Sequence, residues 1–185
     1  MSSSPSKITR YLAIQDKISD RLGQAVSWIS LILIAVLLFE VFMRYLLNTP
    51  TSWGHELSAM LFGAFGIFSG AYTLRHGGHV RIEIIYMLFP DKAKQLCDVI
   101  VYTASTIVFV VFLKMGIDFA YKSWLGGEIS SKSSWEPLLW PIKATIPIAL
   151  AFLILQNIAE LLRSLFKLVG VNFEDPRELE SPEQQ

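Results

Sequence analysis

The stretch VSWISLILIAVLLFEVFMRY, residues 26–45, decides how this chain is read. From Leu31 to Phe39 it is apolar without interruption, and the charges Glu40 and Arg44 come only near its end. About 20 residues of this kind are what a helix needs to cross a hydrocarbon layer ~30 Å thick. A helix packed inside a water-soluble domain rarely stays apolar on all sides for that long. Three more runs of similar length follow, at 57–74, 96–117 and 138–162. The expectation is an all-α membrane protein with four transmembrane helices, its solvent a bilayer.

The totals agree. Of 185 residues, 52% are apolar and only 17% charged, so four crossings and their connections leave no room for a soluble catalytic domain. The net charge is zero and the basic residues are spread along the chain, which argues against a nucleic-acid-binding face. Cys97 is the one cysteine, so no internal disulfide can form. The chain divides into an arm at 1–25, a membrane domain at 26–165 and a tail at 166–185, acidic and proline-punctuated from Glu174 onward. The arm is no secretory signal: it carries Lys7, Arg10, Asp16, Lys17, Asp20 and Arg21, and the apolar run behind it is too long for a cleavable core.

Basic residues outside the spans are unequally divided. Eleven lie on the side of the termini and of the connection between spans two and three; five (Arg44, Lys114, Lys122, Lys132 and Lys143) lie on the other. Because Lys and Arg are retained in the cytoplasm, both termini are expected there. Two segments read as helices lying on the membrane. In the arm, Ile8, Tyr11, Leu12, Ile18 and Leu22 suit one helical face while the charges occupy others. Residues 80–89 are apolar apart from Arg81 and Glu83, too short to cross, and closed by Pro90. They are expected to lie flat at the inner surface between spans two and three.

Span two differs in composition. Ala59, Gly63, Gly66 and Gly70 recur at intervals that keep them on one face, and in lipid such small residues let helix backbones approach closely. Span two is therefore the expected packing hub. The polar residues cluster at the span ends, where charges need partners. At the outer end, Glu40 and Arg44 are four apart, the spacing at which opposite charges meet on a helix, and Glu56 and Lys143 are close enough in depth to pair. An internal charge clamp, a docking surface for another membrane protein and an ion-coupling site all fit this set. At the inner end sit Arg75, His76, His79, Arg81 and Glu83, with Asp98, Asn157 and Glu160 at similar depth. Gly77 and Gly78 allow a sharp turn there, and a metal on His76 and His79 is disfavoured for want of a third ligand. No GxSxG, HExxH, phosphate-loop or haem-binding pattern supports catalysis. The five tryptophans read as interface anchors, and Pro141 and Pro147 mark the entry or a kink of span four.

Several motifs, taken in order, resemble one family. They are Phe42-Met-Arg-Tyr-Leu-Leu-Asn48, Trp53-Gly-His-Glu56, Gly70-Ala-Tyr72, His76-Gly-Gly-His-Val-Arg-Ile-Glu83, Trp135-Glu-Pro and Trp140-Pro-Ile-Lys143. Together they look like the small membrane subunit (DctQ family) of tripartite ATP-independent periplasmic, or TRAP, transporters. The resemblance covers roughly Trp28 to Arg163; Glu83 stands where the family often has Asp, which keeps the charge. It implies a four-span subunit of the bacterial inner membrane, in contact with lipid and partnered by a large elevator-type membrane subunit. A periplasmic substrate-binding protein would deliver an organic acid, and the coupling sodium ions would bind the large subunit, leaving no cofactor on this chain. The outer group (Glu40, Arg44, Glu56, Lys143) would clamp the spans or touch a partner, and Arg75, His79, Arg81 and Glu83 would brace the inner turn. The competing reading is a self-sufficient four-span exporter that couples cations or protons through Glu40. Arg44, one turn away, favours the ionised form of Glu40 and opposes that role.

Overall fold

A computed structural model describes residues 7–76 and 90–170. It contains four helices: α1 (Lys7–Tyr45), α2 (Gly54–Arg75), α3 (Asp91–Leu125) and α4 (Trp140–Val169). Each is long and apolar enough to cross a membrane. The described residues hold no strand, only an isolated antiparallel bridge between Ile129 and Leu138. The expected surface segment at 80–89, with His79, Arg81 and Glu83, lies outside the described residues, as does the tail from residue 171.

The arm differs from its expected form. No break separates it from span one, and α1 runs unbroken for 39 residues. At 1.5 Å per residue that is about 58 Å, nearly twice the hydrocarbon thickness. The sequence offers no proline there to stop the helix, and Gly23 alone does not. The arm also packs against protein instead of resting its inner face on lipid. Leu12, Gln15, Asp16, Ser19 and Val26 are all buried. Ile8 and Ile14 remain exposed, so one side of the arm still presents apolar surface.

The helices form a row rather than a closed bundle. α1 packs on α2, α2 on α4 and α4 on α3, while α1 reaches α4 over a shorter contact. The hub is α4, which touches all three others, and not span two. Of the four small residues expected to form the packing face of α2, only Gly70 has a neighbour close by, with Leu153 3.8 Å from where its Cβ would be; Ala59 is exposed, and Gly63 and Gly66 look into open space. Close approach occurs elsewhere. A Cβ on Gly23 of α1 would come within 2.7 Å of the Tyr72 ring of α2, and one on Gly116 of α3 would meet Ile146 at 3.2 Å and Pro147 at 3.6 Å. Pro141 opens α4, and Pro147 lies inside it without ending it. Gly170, in the left-handed conformation (φ 74°), closes α4. Long stretches of Leu, Ile, Val and Phe stay exposed on α1 and α3. In lipid this exposure carries no penalty, because the solvent is as apolar as the side chains.

Candidate functional site: polar clusters at the two ends of the row

One end of the row carries the α1–α2 turn and the α3–α4 loop and is termed the turn end. At the opposite, terminal end the start of α1 lies beside the end of α4. Charges gather at both, where four apolar helices meet water.

At the turn end, Arg44 donates to the Glu40 carboxylate through Nε at 3.1 Å and through Nη2. The second Glu40 oxygen accepts from the Thr51 hydroxyl and, at 3.2 Å, from the Thr51 backbone N–H. Thr51 Oγ1 in turn accepts from the Gly54 N–H at 3.1 Å, satisfying one of the free donors that open α2. Glu40 therefore ties the last turn of α1 to the first turn of α2. Gly54 allows this approach, since a Cβ there would lie 2.7 Å from Glu40 Oε2. Trp53 stacks on Phe39, ring centres 5.8 Å apart, and closes the apolar side of the same turn.

The expected Glu56–Lys143 pair does not form. Glu56 is buried and accepts from the Ser133 hydroxyl, so the α3–α4 loop is pinned onto the start of α2. Lys143 donates to Glu128 instead and lies 4.1 Å over the Phe119 ring. The loop itself brings Glu128 within reach. Ser130 N–H donates to Pro137 O and Leu139 N–H to Glu128 O, both at 2.9 Å, folding the loop into a narrow hairpin-like strap. The hydrogen bond from Lys143, with the Ser123 hydroxyl nearby, holds the Glu128 carboxyl below its usual range. Sequence spacing could not anticipate this partner, because the loop's internal bonding decides where Glu128 sits.

The terminal end holds the densest cluster. Asp16 Oδ2 accepts from Arg163 Nη2 at 2.6 Å, and Arg163 Nη1 donates to Glu160 at 3.1 Å. Gln156 Nε2 donates to Glu160 at 2.9 Å and lies 3.4 Å from Asp16, while Gln156 Oε1 accepts from Ser19 at 2.7 Å. Arg75 adds α2: it pairs with Asp20, donates to the Asp16 carbonyl at 2.9 Å, and keeps its Nε 3.8 Å from the Asp16 carboxylate. Asp16, Gln156, Glu160 and Arg163 are all buried. The His76 ring packs on Tyr72, centres 4.1 Å apart. Next to Gln156 and on another face of α4, Asn157 donates to Tyr102 O at 2.8 Å and to Thr106 Oγ1 at 2.7 Å, joining α4 to α3.

Of the residues singled out in sequence, Glu40 and Arg44 meet as expected, whereas Arg75 meets the arm. Asp16, Asp20, Gln156 and Arg163 were missed as a cluster. A signal existed: two aspartates in the arm and two arginines at span ends share one side of the membrane and have complementary charge. Among the described residues, no group of three or more His, Cys, Asp or Glu side chains is placed to hold a metal.

Comparison with known proteins gives these ends a context. Residues 33–167 match the family described as tripartite ATP-independent periplasmic transporters, DctQ component. The chain is 23% identical over 142 residues to the sialic acid TRAP transporter small permease protein SiaQ of Vibrio cholerae, covering 76% of this chain and 79% of that protein. It is also 24% identical over 82 residues to the sialic acid TRAP transporter permease protein SiaT of Haemophilus influenzae. That match takes in 44% of this chain but only 13% of the much longer SiaT. The family match spans most of the four-helix region whose motifs suggested it, and the chain belongs to the DctQ component of the TRAP transporters: a multi-pass inner-membrane transporter subunit and not an enzyme.

Proposed function

We propose that this subunit is the fixed scaffold of a sodium-coupled, binding-protein-dependent uptake system for an organic acid. The large membrane subunit would carry solute and sodium by an elevator movement, and this chain would brace it. Both termini would lie in the cytoplasm and the turn end would meet the periplasm, where the substrate-binding protein docks. The two relatives are named for sialic acid, itself a carboxylic acid, which makes sialic acid the first compound to assay.

The observation that carries this reading is where the polar groups are used. Glu40 is engaged by Arg44 and Thr51, Glu56 by Ser133, Lys143 by Glu128, and Asp16 by Arg163. Each tie joins one helix or loop to the next, the work of a brace. A coupling carboxylate must bind and release its cation, and Glu40, tied down at one end of the row, is poorly suited to that. The exporter reading is accordingly disfavoured.

The test is reconstitution. Proteoliposomes holding this chain and its large subunit, supplied with the binding protein and an inward sodium gradient, are expected to accumulate labelled substrate. Liposomes holding this chain alone are expected to accumulate none. Sodium-independent uptake by this chain alone would overturn the proposal.

A further inference from the structure

Because α2 and α3 both pack extensively on α4 and at most marginally on each other, a cleft of about 670 Å³ runs between them. Ile146 and Leu150 of α4 form its floor, Ile67 of α2 one wall, and Phe112 and Met115 of α3 the other. We propose that this cleft and its two lips receive a transmembrane helix of the large subunit, one that carries a carboxylate. The proposal rests on the scaffold reading above and assigns it a face.

Two independent observations distinguish the cleft from a gap filled by lipid. The first is the α2 lip. Gly63 lies one turn from Ile67, and a Cβ placed on it or on Gly66 would meet nothing within 4 Å. Bare backbone exposed in the membrane costs helix propensity and returns no packing within this chain. A second helix approaching closely would use it, and lipid chains have no need of it.

The second is the α3 lip. Lys114, Asp118 and Lys122 follow one another at intervals of four and are exposed. Among the described residues, no ion pair or hydrogen bond involves any of their side chains. Asp118 and Lys122 line the rim of the cleft. Their depth is set by Gly116, which lies against Ile146 and Pro147 of α4. The antiparallel register puts Lys122 level with the start of α4, Asp118 about one turn inside, and Lys114, beside the cleft on the same helix face, about two turns inside, roughly 10 Å along the axis at 1.5 Å per residue. Charges at such depth are expensive against lipid and are found facing protein or water-filled space. Two lysines and one aspartate leave this lip with one excess positive charge, which a carboxylate on the incoming helix would neutralise.

Photo-crosslinking in membranes tests the assignment. The chain is co-expressed with its large subunit, with p-benzoylphenylalanine at Gly63, Met115 or Phe119 in the cleft, or at Leu38 on the exposed side of α1. Adducts with the large subunit are expected from the cleft positions at a yield at least about tenfold above Leu38. An intact complex that crosslinks only from Leu38, or cleft positions that yield only lipid adducts, would overturn the inference and leave the scaffold reading standing. Failure of the wild-type chain to co-purify with the large subunit would remove both. A second measurement avoids the probe. Gly63→Leu with Gly66→Leu, and Lys114→Glu with Lys122→Glu, should each cut co-purified large subunit by about tenfold or more. Neither pair should shift the unfolding midpoint of the chain alone in detergent, and Lys→Arg at both lysines should restore association. Full association of both doubly substituted chains would likewise refute the assignment.

Discussion

Asp16 accepts from Arg163 at 2.6 Å and has the Arg75 guanidinium 3.8 Å away, with Asp16 and Arg163 buried and Arg75 largely covered. Breaking a buried pair by removing one partner leaves a charge uncompensated, at a cost of about 3–5 kcal/mol. Asp16→Ala should therefore lower the stability of the chain in detergent by about that amount, read from denaturant unfolding. Asp16→Ala with Arg163→Ala should cost less than the two single changes summed, because Arg75–Asp20 and Gln156–Glu160 remain paired. Strict additivity would show that the pair does not act as a unit. Glu128 gives a second residue-level prediction, in pH. Its folded-state pKa is depressed chiefly by Lys143, so the stabilisation is fully present above the ordinary glutamate value and fades as pH falls through the lower folded value. The fluorescence of Trp135 and Trp140, both on or beside the loop, should stay constant as pH drops through the ordinary carboxylate range and change only below it. Glu128→Gln should abolish that acid transition. A wild-type transition at the ordinary carboxylate pKa would contradict the contact.

Among the elements, α1 and α2 cross where Gly23 leaves room for the Tyr72 ring, and α2 shows open space at Gly63. Gly23→Leu should overpack that crossing and destabilise the chain by about 1–3 kcal/mol. Gly63→Leu should leave the isolated chain unchanged or slightly firmer, since leucine forms helix better than glycine. Equal effects at the two sites, measured by thermal unfolding, would mean that the crossing is not where the structure puts it. This contrast marks what the sequence could convey. Span number and helical character were legible, because apolar length in lipid is a one-dimensional property of the chain. The use of each glycine was not: the i, i+3, i+4 pattern of span two identifies a face but not what stands opposite. Gly23 and Gly116, which do meet neighbours, also have small residues four positions away (Ser19 and Ser27, and Ala120), so spacing alone does not separate them from Gly63 and Gly66. The arm was misjudged for a related reason. Its apolar residues fit a helix on lipid equally well as a helix on protein, and the decision rests with Ser19 and Asp16, whose partners on α4 lie 137 and 147 positions away.

Over the whole molecule, four helices in a row leave two broad exposed apolar surfaces and little buried apolar core, so polar ties at the ends must hold the row's geometry. The turn end is held by local contacts, Glu40 with Thr51 and Glu56 with the α3–α4 loop. The terminal end has no such loop among the described residues, and the arm takes its place: α1 continues beyond the bilayer and clasps α2 through Arg75 and α4 through Arg163, Gln156 and the Leu155 carbonyl, which accepts from Tyr11 at 3.3 Å. Deleting residues 1–22 should therefore leave the four spans inserted, because their apolar runs are untouched, yet strand Arg163, Arg75 and Gln156 without α1. Two consequences separate this from general unfolding. Amide exchange should rise in the last turns of α4, around residues 155–165, while α3 and the turn end keep their protection. Uptake by the assembled transporter should fall by about tenfold or more, since a brace that splays at one end no longer presents a fixed surface. If the truncated subunit kept wild-type exchange in α4 and full uptake, the arm would be an accessory on the membrane and the clasp would carry no load.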